Sequence, residues 1–239
     1  MCGRVALTAS GEELAEAFGL DEAPRMEARY NIAPSQPLLV VRREHGRRHS
    51  GNLRWGLARR ASGEGEASEP GGLLINARSE TIASKPSFRE AFKRRRCLIP
   101  ASGFYEWKKT GGRSRPFFIR FRSGGLFAMA GIWEPPAETE PDSAGACVIL
   151  TTEPNSLLLT LHDRMPVILP PEGYETWLQD AVTPGALRGL LSPYPDEALV
   201  AQPVGLAVND PRHEGPVCLE PPGPEMDAQG RLFPDETAD

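Results

Sequence analysis

The residue with the most distinctive chemistry open to it is Cys2, because it stands directly behind Met1 in Met1-Cys2-Gly3-Arg4. Initiator methionine is usually trimmed before a small residue. Trimming would leave a thiol and a free α-amine on the same residue, a 1,2-aminothiol. The amine has a reference pKa of about 7.7–8.0 and the thiol about 8.5, so both are partly nucleophilic near neutral pH. An aldehyde meeting this pair forms a Schiff base with the amine, and the sulfur then closes a five-membered thiazolidine ring. No internal cysteine can do this. The plain alternative is an arbitrary small residue at a frayed terminus. The other three cysteines, Cys97, Cys147 and Cys218, are widely spaced, with no CxxC pair. That spacing predicts neither a disulfide framework nor a zinc site, and it suits a reducing compartment.

A second chemical feature is the distribution of charge. The formal net charge of −5 conceals an asymmetry: residues 42–122 hold 20 Lys/Arg against 7 Asp/Glu, and the rest of the chain 7 against 25. The basic blocks are Arg42-Arg43, Arg47-Arg48, Arg59-Arg60, Lys93 to Arg96 and Lys108-Lys109. Trp55, Phe88, Phe92, Phe104, Tyr105, Trp107, Phe117 and Phe118 are interleaved with them. Positive charge with stacking side chains is what a single-stranded nucleic-acid groove needs. A solvated basic face is the alternative reading.

Short elements must position these residues. The chain is long enough for one sizeable core, and its 24 prolines, about twice the usual share, predict many loops and few long helices. Ser10-Gly-Glu-Glu13 is a capping box that opens an amphipathic helix ended by Gly19. Leu38 to Arg42 reads as a strand, and so do 97–107, 116–121, 126–133 and 147–151, which are rich in β-branched and aromatic residues. Ser87 with Glu90 repeats the capping-box pattern, and 154–161, 174–179 and 184–191 are further short helical candidates. Residues 61–72 read as a polar, mobile loop. After about His213 the chain is rich in Pro, Gly and acidic residues, which predicts a domain over 1–213 and a disordered tail over 214–239. Strands outnumber helices without regular alternation. The fold class expected is therefore α+β: a single domain with a largely antiparallel, curved or barrel-like β-sheet and short flanking helices. No apolar run approaches a membrane span, and no secretion signal opens the chain, so no membrane partner is expected.

Four separated segments carry a resemblance: Met1-Cys2-Gly3-Arg4, Ile75-Asn76-Ala77-Arg78-Ser79-Glu80-Thr81, Ser102-Gly103-Phe104-Tyr105-Glu106-Trp107, and His162-Asp163-Arg164-Met165-Pro166-Val167-Ile168-Leu169. Arg29-Tyr30-Asn31-Ile32-Ala33-Pro34 and Trp55-Gly56-Leu57 add to them. Their order and character resemble the SOS-response-associated peptidase family, from Met1 to about Val208. The resemblance implies capture of abasic sites in single-stranded DNA. An abasic deoxyribose is partly a ring-opened aldehyde at C1′, and the N-terminal cysteine of family members converts it to a stable thiazolidine DNA–protein crosslink. It also implies possible β-elimination at the lesion, self-processing at the Met–Cys bond, a monomer, and a cytoplasmic protein that joins the nucleoid on DNA damage if bacterial.

The resemblance assigns roles residue by residue. Cys2 is the nucleophile, and Glu106 sits beside the terminal amine, where a carboxylate can move protons during Schiff-base formation and ring closure. His162 exchanges a proton with the sugar hydroxyl released on ring opening, and Asn76 holds the sugar or the amine in register. Arg4, Arg78 and Arg164 grip phosphates, as forked guanidinium donors suit phosphate oxygens. Trp55 and Trp107 are similar to the family's side chains that stack on bases beside the lesion, with core packing the open alternative for Trp55, and Pro34 and Thr151 line the same groove. Pro86 stands where relatives often carry a basic residue, and Lys85 is the substitute phosphate contact.

Two other classes stay open on the residues alone. One is a peptidase of the N-terminal-nucleophile kind, with Cys2 attacking peptide bonds. The other is a non-enzymatic single-strand binding module, which needs neither Cys2 nor Glu106. His45 and His49 have i, i+4 spacing but no nearby cysteine pair, so neither a metal nor any other cofactor is expected.

Overall fold

The chain opens with a short strand, which was not expected, and the capped helix that the Ser10–Glu13 capping box predicts. In the computed structural model, which describes residues 2–58, 72–136 and 144–223, Val5–Leu7 forms β1 and Gly11–Phe18 forms α1. The Ser10 side chain accepts from the Glu13 N–H, the Glu13 side chain accepts from the Ser10 N–H, and Gly19 ends the helix at φ 61°. This left-handed conformation costs glycine little. Burial of Leu14 and Phe18 on one face of α1 contributes about 1.5–3 kcal/mol each.

The strands that follow are β2 (Arg29–Ile32), β3 (Pro37–Glu44), β4 (Arg47–Trp55), β5 (Leu57–Ala58), β6 (Leu73–Leu74) and β7 (Asn76–Arg78). His45 and Gly46, both at positive φ, make the tight turn between β3 and β4. Helix α2 (Pro86–Arg94) then leads into β8 (Arg96–Ala101), β9 (Gly103–Thr110), β10 (Arg113–Phe121), β11 (Phe127–Glu134) and β12 (Ala146–Thr152). The last part carries α3 (Ser156–Leu159), β13 (Met165–Pro166), β14 (Ile168–Leu169), α4 (Tyr174–Leu178), α5 (Pro184–Gly189) and β15 (Leu199–Pro203), with 3-10 turns at Leu206–Asn209 and Pro216–Leu219.

These strands form two main sheets. One has the order β15-β10-β9-β1-β2. The other runs β13-β12-β4-β3-β8-β11-β14, and an additional β11–β12 pairing closes it on itself as a barrel. The α+β, barrel-like class expected from the sequence is the one observed. Pairing is largely antiparallel, but β12 is parallel to both β4 and β7. The flanked strands β8 and β12 are buried along their whole lengths, which explains why, apart from Arg96 at one end and Thr151-Thr152 at the other, their residues are apolar.

Three expectations are corrected. The strand expected over 97–107 is two strands, because the chain leaves the barrel at Ser102 and enters the second sheet. Gly103 permits the crossing: a Cβ there would lie 2.2 Å from the Phe118 ring. Helix α2 is not capped by Ser87; Lys85 is its N-cap, without a side-chain bond, and Pro86 takes the first helical position, where its missing N–H is no loss. Pro86 is thus a helix starter. The tail is ordered beyond His213 as far as Gly223. The Glu214 carboxylate accepts the backbone N–H groups of Tyr30 and Asn31, and Cys218 is fully buried. Residues 224–239 and most of the loop expected over 61–72 lie outside the described residues.

The core divides accordingly. A large cluster fills the barrel and its junction with the second sheet. A small cluster of Ala6, Tyr105, Phe118, Val204, Val208 and Cys218 lies under the C-terminal segment, with Tyr30 and Trp107 packed on it. Candidate site residues stand where these two units meet.

Candidate active site

Cys2 is fully buried at the entry to β1. The register of β1 on β9 places Val5 opposite Phe104, and the Tyr105 N–H donates to the Arg4 carbonyl at 3.0 Å. Continuing this antiparallel pairing brings the Cys2-Gly3 stretch alongside Glu106 and Trp107. From the barrel side, β7 lies parallel to β12 with Asn76 opposite Ile149, and Asn76 Nδ2 donates to the Cys2 carbonyl at 2.9 Å. Cys2, Asn76 and Glu106, far apart in sequence, therefore come together where barrel meets sheet.

The electrostatics of this junction follow from burial. Desolvation, and next the negative charge of Glu106, push the Cys2 thiol far above its ordinary range, partly offset by the positive chain terminus. Glu106 is 2% exposed. Burial raises its carboxyl pKa, while the positive chain terminus pulls the other way. A buried carboxyl poised above its ordinary value can hold or release a proton nearer neutral pH. Asn76 Oδ1 is a buried acceptor with no hydrogen-bond partner among the described residues. It can receive a donor from a bound molecule.

His162 precedes β13, and burial lowers its pKa, followed by the positive charge of the chain terminus. Its Nδ1 lies 3.1 Å from the Arg164 N–H and 2.7 Å from Asp163 Oδ1. The neutral ring accepts from Arg164, and the protonated ring donates to Asp163. Asp163 in turn raises the Glu106 pKa, so Glu106 and the 162–164 turn share one electrostatic neighbourhood.

The phosphate-grip candidates separate into two kinds. Arg78 and Lys85 are exposed, and among the described residues neither side chain has an ion pair or hydrogen bond. Arg164 is committed inward: its Nη1 and Nη2 meet the two Glu80 carboxylate oxygens at 2.6 and 2.9 Å, and Nη2 also donates to the Thr151 carbonyl at 2.7 Å. Arg4 is committed too. Its Nη1 donates to Asn31 Oδ1 at 2.6 Å and to the Val208 carbonyl, and its guanidinium lies 5.7 Å above the Trp107 ring. Pro34 is half-buried in the turn that leads to Ser35, whose N–H donates to the Trp55 carbonyl. Thr151 is wholly buried, and its Oγ1 has no hydrogen-bond partner among the described residues.

The two tryptophans differ sharply. Trp107 is half-buried beside Glu106, with Nε1 donating to Asn209 Oδ1 at 2.7 Å. Trp55 is 0% exposed in the barrel core, and its Nε1 donates to the Ile75 carbonyl at 2.9 Å. The stacking role expected of Trp55 is therefore corrected to a core role: a ring enclosed on both faces has none left for a base.

Part of the basic excess is taken up by partners within the protein. Arg42 pairs with Glu44 and lies over the Trp133 ring, Arg43 and Arg48 pair with Glu175, Arg47 with Asp21, and Arg95 with Glu134. Arg96, 5% exposed, donates to the backbone carbonyls of Phe92, Lys93, Trp177 and Gln179. These six arginines are thus committed to partners within the protein. Reasoning from the sequence also gave no role to Asn31, Glu80, Asp163, Asn209 or Glu214. The first three lie inside segments singled out above; the last two lie past the expected end of the resemblance.

The family model for SOS response associated peptidase (SRAP) matches residues 1–211. The chain belongs to this family. Among curated members, abasic site processing protein YoqW of Bacillus subtilis is 39% identical over 92% of this chain and 99% of its own length. YedK of Escherichia coli, also an abasic site processing protein, is 31% identical over 92% and 100%. HMCES of Gallus gallus is 31% identical over 92% of this chain and 78% of its own. A crystal structure of a Bacteroides thetaiotaomicron protein superposes with a TM-score of 0.78 at 24% identity, covering 92% of this chain and 99% of the other. A phage-related protein of Bordetella bronchiseptica gives 0.68 at 28% identity, covering 85% and 94%. The SRAP match takes in every candidate residue from Cys2 to Arg164. No helix among the described residues is long and apolar enough to cross a membrane, and none of their His, Cys, Asp and Glu side chains cluster as a metal site.

Proposed function

We propose that this protein senses abasic sites in single-stranded DNA and traps them covalently through Cys2 after Met1 is removed. The Cys2 α-amine attacks the C1′ aldehyde of the ring-opened sugar, and the resulting carbinolamine loses water to give a Schiff base. The Cys2 sulfur then adds to the imine carbon and its proton passes to the nitrogen, closing a thiazolidine. Glu106 carries the protons between thiol, amine and leaving water. His162, whose pKa is lowered by burial, exchanges a proton with the sugar hydroxyl freed on ring opening. Asn76 holds Cys2 through its carbonyl. Arg78 and Lys85 take the phosphates, and Trp107 stacks on a base beside the lesion.

The observation that carries this reading is the buried junction itself: one residue, Cys2, held by Asn76 on one side and electrostatically coupled to Glu106 on the other. Ring closure needs only a neighbouring group to receive the thiol proton as the carbon–sulfur bond forms. The same Schiff base can lose a C2′ proton and expel the 3′ phosphate, so strand cleavage by β-elimination is the side reaction that thiazolidine closure prevents. The names of the curated relatives support DNA with abasic sites as the substrate class. Incubation of the pure protein with single-stranded DNA bearing one abasic site tests the proposal: a heat-stable shifted band is expected, and its absence overturns it.

A further inference from the structure

Trp107 is held from two sides by residues of different origin. Arg4 lies over the ring face, and Asn209 accepts the indole N–H. Both holders are fixed by the C-terminal segment. The Val208 carbonyl accepts from Arg4. Asn31, fully buried, accepts from Arg4 through Oδ1 and donates through Nδ2 to the carbonyls of Asp210 and His213 at 3.0 and 2.9 Å. Glu214 closes the arrangement by accepting the Tyr30 and Asn31 N–H groups and pairing with Arg29. Every polar atom of the Asn31 side chain is satisfied, which is the condition under which a buried polar network rigidifies its surroundings. This segment contributes no group to the chemistry at Cys2, yet it converges on Trp107, a half-exposed aromatic that follows Glu106 in β9.

We infer that Asn209 is a positioning residue: it fixes the plane of the Trp107 ring so that the ring is pre-set to stack on the base next to the lesion, with the brace of 208–214 holding Asn209 and Arg4 in place. The inference rests on the stacking role proposed for Trp107. An unanchored indole can turn about its two side-chain torsions, and part of the stacking energy then goes to ordering it. An anchored one binds without that cost. Loss of the Asn209 hydrogen bond, of ordinary strength, therefore weakens strand binding by about fivefold and leaves the bond-making step at Cys2 untouched.

The test uses the full chain and single-stranded DNA with one abasic site, and it measures crosslinking rate against strand concentration. Asn209→Ala is expected to raise the half-saturating strand concentration about fivefold, with the rate at saturating strand unchanged. Trp107→Ala is expected to raise it further, and Asn209→Ala added to Trp107→Ala to do nothing more, because a positioning residue has no effect once the residue it positions is gone. Equal half-saturation in Asn209→Ala and wild type overturns the inference. So does a fall in the saturating rate, or an additive effect in the double variant, since either means a general structural role. Failure of the wild-type protein to form any adduct overturns the proposed function, and the inference with it.

Discussion

Replacing each of the two tryptophans in the basic region should give opposite results. Trp55 is 0% exposed, sits in the large core cluster and gives its N–H to the Ile75 carbonyl. Trp55→Ala removes a buried bicyclic ring and leaves a cavity, at a cost of about 3–5 kcal/mol. For a domain of this size each kcal/mol moves the midpoint by about 2–4 °C, so the melting temperature should fall by about 6–20 °C. Trp107 is half-buried on the surface of the small cluster. Trp107→Ala should move the melting temperature far less and weaken binding to abasic single strands, by about 1–3 kcal/mol for one lost base stack. Calorimetry read beside fluorescence anisotropy, below both transitions, separates the two. If Trp55→Ala keeps its melting temperature and loses strand affinity, the ring is not enclosed as described and its reassignment to the core is wrong.

Other outcomes follow from the same geometry. Capture requires a neutral amine and, in this account, an ionised Glu106, so below the raised Glu106 pKa the logarithm of the capture rate should climb with pH at a slope of about two, and Glu106→Gln should lower that slope to about one by leaving only the amine; an unchanged slope would remove Glu106 from the proton transfers. Burial that raises the Glu106 pKa also means that the carboxyl favours folding when protonated. Its contribution is present below the unfolded value near 4.5 and is lost as pH rises through the folded value, so Glu106→Gln should be the more stable protein at neutral pH in a urea titration. Arg78→Ala should make the salt dependence of single-strand binding shallower by about 0.7 in log–log slope, whereas Arg43→Ala, which breaks an ion pair with Glu175, should leave the slope where it is. Glu214→Ala removes the acceptor for two backbone N–H groups and should lower the melting temperature by several degrees, as about 1–3 kcal/mol is typical for donors left unsatisfied; no change would mean that residues beyond 213 do not stabilise the domain.

How far the sequence could be read depended on whether the deciding contact was local. The capping box at Ser10 and its Gly19 stop involve neighbours within a few positions, and both form as expected. Apolar runs located the barrel strands β3, β8, β11 and β12, whose residues are largely buried, whereas β4, polar and exposed or half-buried along 47–52, was not expected. The break at Ser102-Gly103 was invisible, since it depends on Phe118 lying against Gly103 from another strand. Charge was misleading for the same reason: the basic blocks find their acidic partners at Asp21, Glu134 and Glu175, on elements distant in sequence. Tail composition suggested disorder, yet Glu214 and Cys218 are drawn in by Tyr30, Asn31 and the small core. At the site, the resemblance named Cys2, Asn76, Glu106 and His162. Their meeting where β7, β9 and the turn before β13 converge required the register of two sheets.

The central claim is that Cys2 reacts through its amine and its thiol together. Intact mass measurement of the heat-stable conjugate with an abasic single strand tests it most directly. The account predicts the mass of the protein without Met1 plus the strand, less one water, with Cys2→Ala giving only a borohydride-trappable adduct. A conjugate that retains Met1, or an equally heat-stable conjugate from Cys2→Ala, would contradict it.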